Sequence, residues 1–167
     1  MPENSPPASL SGLTHLNESG EAHMVDVGAK ALTARRAVAR SRVKMSAKAF
    51  GLLESGDASK GDVLAAARIA GIQAAKRTSE LIPLCHIVAL TRVQIEIALE
   101  NDMASIVATA EAVDRTGVEM EALVAASTAA LTIYDMLKAV DRGMTFDVAL
   151  LEKSGGKTGT WQREREA

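Results

Sequence analysis

The chain has 167 residues, of which 47% are hydrophobic and 2% aromatic, and its formal charge is −2. That length suits one domain with a real core, while the near-neutral charge and the shortage of aromatic rings argue against nucleic-acid binding through basic patches or base stacking. A single cysteine, Cys85, excludes an intramolecular disulfide, and neither a signal-peptide pattern nor an apolar stretch of membrane-spanning length is seen, so a cytoplasmic protein with no membrane partner is expected.

Residues 1–12 are rich in Pro and Ser with little to bury, and are expected to be disordered. Residues 13–159 read as a single catalytic domain and 160–167 as a loose tail. Residues 24–27 (Met-Val-Asp-Val) suggest a short strand ended by Gly28. Residues 34–45 admit helix or strand; strand is favoured because Arg36, Val38, Arg40, Arg42 and Lys44 would share a face at period two. A short helix capped by Ser46 follows, stopped at Ser55-Gly56-Asp57. Gly61-Asp62 introduces a helix over 63–77, with Leu64, Ala67, Ile69, Ile72 and Ala75 as its apolar contacts, and Pro83 closes what comes next.

Residues 92–100 alternate, with Val93, Ile95, Ile97 and Leu99 on one face. Asn101-Asp102 forms a turn, and 104–113 pairs back as a second strand. A long helix over 118–141 and a last strand over 145–151 complete an α+β pattern: an antiparallel sheet with helices packed on one face.

The long helix is the most informative segment. It starts with Glu119-Met120-Glu121, runs uncharged from Ala122 to Tyr134, and closes with Asp135 and Lys138 on one face. It is too apolar for an ordinary surface helix and carries ionisable groups at both ends, which points to an active site. The carboxylates also suit the positive end of the helix dipole, and Asp135 with Lys138 also fits a plain intrahelical ion pair. Glu121 and Lys138 lie roughly 25 Å apart along a straight helix, so a site using both would take one of them from a neighbouring chain.

Elsewhere the chemistry is less specific. Cys85 and His86 are adjacent, so on an extended segment they point opposite ways and make no nucleophile–base pair. They lack zinc-site spacing, and nothing in the placing of His15 and His23 supports a metal; none is expected. The basic stripe Arg36, Arg40, Arg42 and Lys44, with Arg35 beside it, suits either a solvated strand face or phosphate recognition. Residues 153–159 (Lys-Ser-Gly-Gly-Lys-Thr-Gly) look like a phosphate loop, but the first glycine of that pattern would fall at Leu151. A flexible Gly-rich lid carrying Lys153 and Lys157 is the better reading.

Several motifs then occur in one order: Leu13-Thr14-His15-Leu16-Asn17, Gly20-Glu21-Ala22-His23-Met24-Val25-Asp26-Val27, Lys60-Gly61-Asp62-Val63, Leu81-Ile82-Pro83-Leu84-Cys85-His86, the long helix, and Leu151-Glu152-Lys153-Ser154-Gly155-Gly156-Lys157. Together they resemble the molybdenum cofactor biosynthesis protein C family, the cyclic pyranopterin monophosphate synthases, over roughly residues 13–159. The resemblance implies a ferredoxin-like α+β subunit in a homohexamer built from dimers, with active sites at the dimer interface. It implies a lyase without cofactor, whose small-molecule substrate is a cyclised dihydro-GTP made by a radical partner enzyme, and whose products are cyclic pyranopterin monophosphate and diphosphate.

Carried onto matching positions, the resemblance makes Lys60 and Lys138 the acid–base pair, with Asp135 tuning Lys138. Leu84, Cys85 and His86 would face substrate, Glu119, Met120 and Glu121 would line its pterin end, and Arg35, Lys153 and Lys157 would sit nearer the phosphates. Family members often carry proline after the Cys-His pair, where this chain has Ile87. A contrasting reading is a non-catalytic oligomeric module that binds a nucleotide through the arginine stripe and has no need of Lys60, Asp135 or Lys138.

Overall fold

The computed structural model describes Ser19 and residues 21–164. The expected disordered segment 1–12 and the motif at 13–17 lie outside them, as do Gly20 and residues 165–167. The elements run β1 (Thr33–Lys44), α1 (Ala47–Ser55), α2 (Val63–Ala75), α3 (Thr78–Leu81), β2 (Leu90–Glu100), β3 (Met103–Asp114), α4 (Glu119–Leu137), β4 (Thr145–Ser154) and β5 (Trp161–Gln162). The five strands form one sheet in the order β2-β3-β1-β4-β5, with every neighbour antiparallel. With β5 set aside this is the ferredoxin-like arrangement, an α+β fold.

Local chemistry explains most boundaries. Ser46 caps α1 through its side chain, and Asp62 caps α2 by accepting from Ala65 N at 2.9 Å. Asn101 and Asp102 both take positive φ, 52° and 56°, giving the twist that a two-residue hairpin between β2 and β3 needs. A bulge at Val38/Ala39 leaves Leu151 as the extra residue on β4.

The core lies between the sheet and the helices α2 and α4, and it is built of small side chains. Ala37, Ala39, Ser41 and Val43 of β1 and Ala104, Ile106, Ala108 and Ala110 of β3 are fully buried against Ala122, Ala125, Ala126, Ala129, Ala130 and Ile133 of α4. Each alanine removes less surface from water than a leucine would, at about 25 cal/mol per Å², but the short side chains let the layers approach closely. Gly71 of α2 marks one such close approach: a Cβ there would lie 2.9 Å from the Ala125 carbonyl oxygen and 3.2 Å from Ile95 Cδ1. α4 is long and apolar enough to cross a membrane by length and composition alone. Its burial against α2 and the sheet marks it as a core helix.

Some expectations fail for physical reasons. Residues 24–27 form no strand: Gly28 N donates to Asp26 Oδ1 at 2.7 Å, Lys30 N donates to the Val27 carbonyl, and the Val25 carbonyl goes to His86. Those backbone groups are satisfied by a turn and a side chain, not by a ladder. α2 ends at Ala75 because Arg77 N turns back to Ala74 O, and Ile69, expected to pack inward, is 60% exposed. α4 stops at Leu137 and not at 141, where Val140 N turns to the Leu137 carbonyl only three residues back and tightens the chain out of the α-helical pattern. The Asp141 carboxylate then accepts from Ser46 N and Gly143 N, which holds it below the usual carboxylate range. β4 runs on to Ser154, and part of the expected loose tail is ordered: Trp161–Gln162 pairs with Glu152 and Lys153.

Candidate active site

The antiparallel packing of α2 on α4 brings the loop before α2 to the C-terminal end of α4. Lys60 lies in that loop, just before Gly61, whose φ of +91° suits only glycine. Its amine donates to the Asp135 carbonyl at 2.8 Å and to Asp135 Oδ2 at 3.0 Å. Lys138, at the helix C-cap, donates to Asp135 Oδ1 at 2.7 Å. One carboxylate thus holds two amines, one on each oxygen. The hydrogen bond from Lys138, then that from Lys60, holds the Asp135 carboxyl below its ordinary range. All three side chains are largely exposed, so the network adds little to stability. It places two proton-carrying groups side by side in reach of a ligand.

The N-terminal end of α4 carries a different set. Glu121 is 4% exposed, and burial pushes its carboxyl up from the ordinary glutamate value, aided by Glu119 and Asp114. The Cys85 thiol is also pushed up, first by burial and then by Glu121, so it is held as a thiol and not as a nucleophilic thiolate. Glu119 folds back over Gly117, where a Cβ would overlap its carboxylate. Met120, Leu84 and His86 are half-buried nearby in sequence.

The Cys85-His86 segment follows a turn in which Cys85 N donates to Ile82 O. His86 Nε2 lies 2.7 Å from the Val25 carbonyl oxygen; a carbonyl only accepts, so Nε2 carries the proton and Nδ1 is left as the acceptor in the neutral ring. Ile87, directly after this pair, is 88% exposed.

Arg35 joins this end through the pairing of Thr33 with Asp114. Its Nε donates to the Asp114 carbonyl at 3.2 Å and its Nη2 to the Arg115 carbonyl at 3.0 Å. Lys153 donates to Thr158 Oγ1 and, at 3.1 Å, to the Gly159 carbonyl, which closes the glycine-rich turn; Lys157 is exposed on that turn.

The chain therefore brings Lys60, Asp135 and Lys138 together at one end of α4, and Arg35 with Cys85, Glu119 and Glu121 at the other. From Glu121 to Asp135 the helix rises about 21 Å. Sequence reasoning missed Asp114, Arg115 and the Val25 carbonyl. Asp114 ends the strand that pairs with β1 and Arg115 follows it, a position that could have flagged them.

The basic stripe lies on the outer face of the sheet and is mostly engaged. Arg36 pairs with Glu152 and reaches Glu111 at 3.6 Å, while Arg42 forks onto Asp147 through Nε at 3.1 Å and Nη2 at 2.6 Å. An open cleft of 610 Å³ runs over this face, where Arg40 Nε is buried with no hydrogen-bond partner among the described residues.

The cyclic pyranopterin monophosphate synthase of Thermomicrobium roseum is 57% identical over 158 residues, which is 93% of this chain and 95% of that protein. The family model described as the MoaC family matches residues 24–156. On both grounds the chain belongs to the MoaC family.

Proposed function

We propose that this protein is a cyclic pyranopterin monophosphate synthase of molybdenum cofactor biosynthesis, a lyase acting in the cytoplasm on (8S)-3',8-cyclo-7,8-dihydroguanosine 5'-triphosphate. The observation that carries the reading is the Asp135 carboxylate shared by Lys60 and Lys138, in a chain 57% identical to a protein of that name.

Forming a cyclic phosphate from a triphosphate requires an oxygen of the substrate to bond to the α-phosphorus while the bond to the β-phosphate breaks and diphosphate leaves. The attacking hydroxyl gives up its proton, and the pterin half gains and loses protons as its ring is rebuilt. Lys60 and Lys138 carry these protons, one as acid and one as base, and Asp135 keeps both amines in place. Arg35, Lys153 and Lys157 balance the charge of the phosphates. Glu119, Met120 and Glu121 line the pterin end, where carboxylates suit the N–H groups of a pyrimidinone edge, and Leu84, Cys85 and His86 form the neighbouring wall.

The two groups of residues at opposite ends of α4 are too far apart to hold one small molecule. We infer that a second subunit completes the site, and the family resemblance extends this to a homohexamer built from dimers and to a radical enzyme that supplies the substrate.

Single-turnover conversion tests the reading. Diphosphate release by the intact protein, lost in both Lys60→Ala and Lys138→Ala, is the expected result. Tight substrate binding without turnover, unchanged in the variants, would make this a nucleotide-binding module and overturn the assignment.

A further inference from the structure

The glycine-rich turn between β4 and β5 has the composition of a flexible lid. Its first two glycines are instead clamped against the start of β1. Gly155 and Gly156 both take positive φ, +96° and +72°, and both sit where no side chain fits, for different reasons. A Cβ on Gly155 would overlap the Ala34 carbonyl oxygen and lie 3.2 Å from its carbon. Those are backbone atoms of a paired strand and cannot move without breaking the sheet. A Cβ on Gly156 would overlap Nη1 of Arg35 and lie 2.7 Å from its Cζ. That is the far end of a flexible side chain, which can swing away.

The guanidinium so covered is not idle. Its Nε and Nη2 donate to the carbonyls of Asp114 and Arg115, at the β3–α4 junction that leads into Glu119 and Glu121. These bonds use two of the five N–H donors of the guanidinium. The α-carbon of Gly156 closes one side of the guanidinium while the two carbonyls fix its plane. The far end of the turn is secured as well: Lys153 bonds back to Gly159, Gly159 N donates to Gly156 O at 3.2 Å, and Arg163 N donates to Leu151 O at 2.8 Å.

We propose that Gly156 is a positioning residue: it seats the β4–β5 turn on Arg35 and so fixes the guanidinium fork that meets the substrate's phosphates. The proposal rests on the proposed function for the identity of the substrate, and the seating itself can be tested without it. The turn is then a fixed wall of the site, and the missing side chain at Gly156 is what allows Arg35 to keep both carbonyl bonds.

The test compares Gly156→Ala, Arg35→Ala, the double variant, and Gly56→Ala. The last is the control for backbone strain: Gly56 has φ +76°, and a Cβ placed on it would meet nothing within 4 Å. Gly156→Ala is expected to raise KM about 10- to 100-fold, as for loss of a charged hydrogen bond, with a much smaller change in kcat. Arg35→Ala should do the same, and the double variant should be no worse than Arg35→Ala alone, because the clash has lost its partner.

The second readout is tryptic cleavage after Lys157 together with the fluorescence of Trp161, the single tryptophan, which lies on β5. Gly156→Ala and Arg35→Ala should each speed cleavage and alter the emission, while Gly56→Ala should do neither. Additive effects of Gly156→Ala and Arg35→Ala, an unchanged KM in Gly156→Ala, or an equal loss in Gly56→Ala would overturn the proposal. Absence of turnover in the intact protein would defeat the proposed function alone; the seating would then be judged by cleavage, emission and affinity for inorganic diphosphate across the same variants.

Discussion

Lys60 and Asp135 stand 75 residues apart in the chain, yet the lysine amine bonds to both the carbonyl and the carboxylate of the aspartate, at 2.8 and 3.0 Å. The carbonyl belongs to the last turn of α4, where main-chain acceptors lack partners within the helix. A cation there is favoured by the helix dipole as well as by the carboxylate. Lys138 completes the arrangement from the other side.

Because these groups are exposed, their removal should separate function from folding. Lys60→Ala, Lys138→Ala and Asp135→Asn should each lower single-turnover diphosphate release by about 10²- to 10⁴-fold, the usual range for a positioned acid or base. Thermal melts should barely move. The lowered Asp135 pKa fixes the pH dependence of the bridge: it persists as pH falls through the ordinary aspartate range and is lost only below it. Chemical-shift titration of the Asp135 carboxyl would read this directly.

Glu121 predicts the opposite slope. Its folded pKa lies above the ordinary value of 4.5 because of burial, so the folded state binds more protons than the unfolded chain between the two values. The penalty is absent below the ordinary value, grows as pH rises towards the raised one, and is constant above it. Glu121→Gln should therefore gain stability relative to the parent across that window, measured by urea unfolding at a series of pH values, while turnover falls.

Gly71 links packing to chemistry. Gly71→Val should destabilise by about 1–3 kcal/mol through overpacking against Ala125 and Ile95. Gly71→Ala should cost less than the valine, because a helical alanine regains about 1 kcal/mol over glycine against the shift its Cβ forces on the Ala125 carbonyl. Since α2 carries the Lys60 loop, the valine variant should also lose activity at temperatures where it remains folded. Urea midpoints beside single-turnover rates would check both.

His86 ties the segment before β1 down at the Val25 carbonyl, and Arg115 Nε, which donates to the Lys30 carbonyl at 3.0 Å, ties it down further along. His86→Ala should expose the peptide bond after Lys30 to trypsin, whereas His86→Gln, which can place an amide N–H near the same point, should preserve protection. The bond is worth about 0.5–1.5 kcal/mol, or roughly a threefold to tenfold change in cleavage rate.

Much of the fold was legible because local signals coincide with tertiary ones. The alternation of Val93, Ile95, Ile97 and Leu99 and the Asn101-Asp102 turn define the β2–β3 hairpin, and Ser46 and Asp62 announce their helices through capping chemistry. The i,i+3 relation of Asp135 and Lys138 could also be read directly. The resemblance paired Lys60 with Lys138 and set Asp135 beside Lys138; the bond from Lys60 to Asp135 was not legible, since it depends on how closely α2 packs on α4. Residues 24–27 misled because alternation cannot reveal whether a neighbouring strand exists. In the glycine-rich turn, Gly155 and Gly156 lie against Ala34 and Arg35 with no room for a Cβ, a closeness that composition alone cannot reveal.

The helix α4 also has a phase. Fourteen residues from Glu121 to Asp135 fall just short of four turns, so the two carboxylates leave the helix within about 40° of one another. Substitutions along the alanine face change packing but leave that phase intact. Insertion or deletion of one residue between them would rotate one end by about 100° against the other, turning Asp135 from Lys60 or Glu121 from its buried setting. The length of this segment is therefore as strictly set as the small side chains of its buried face.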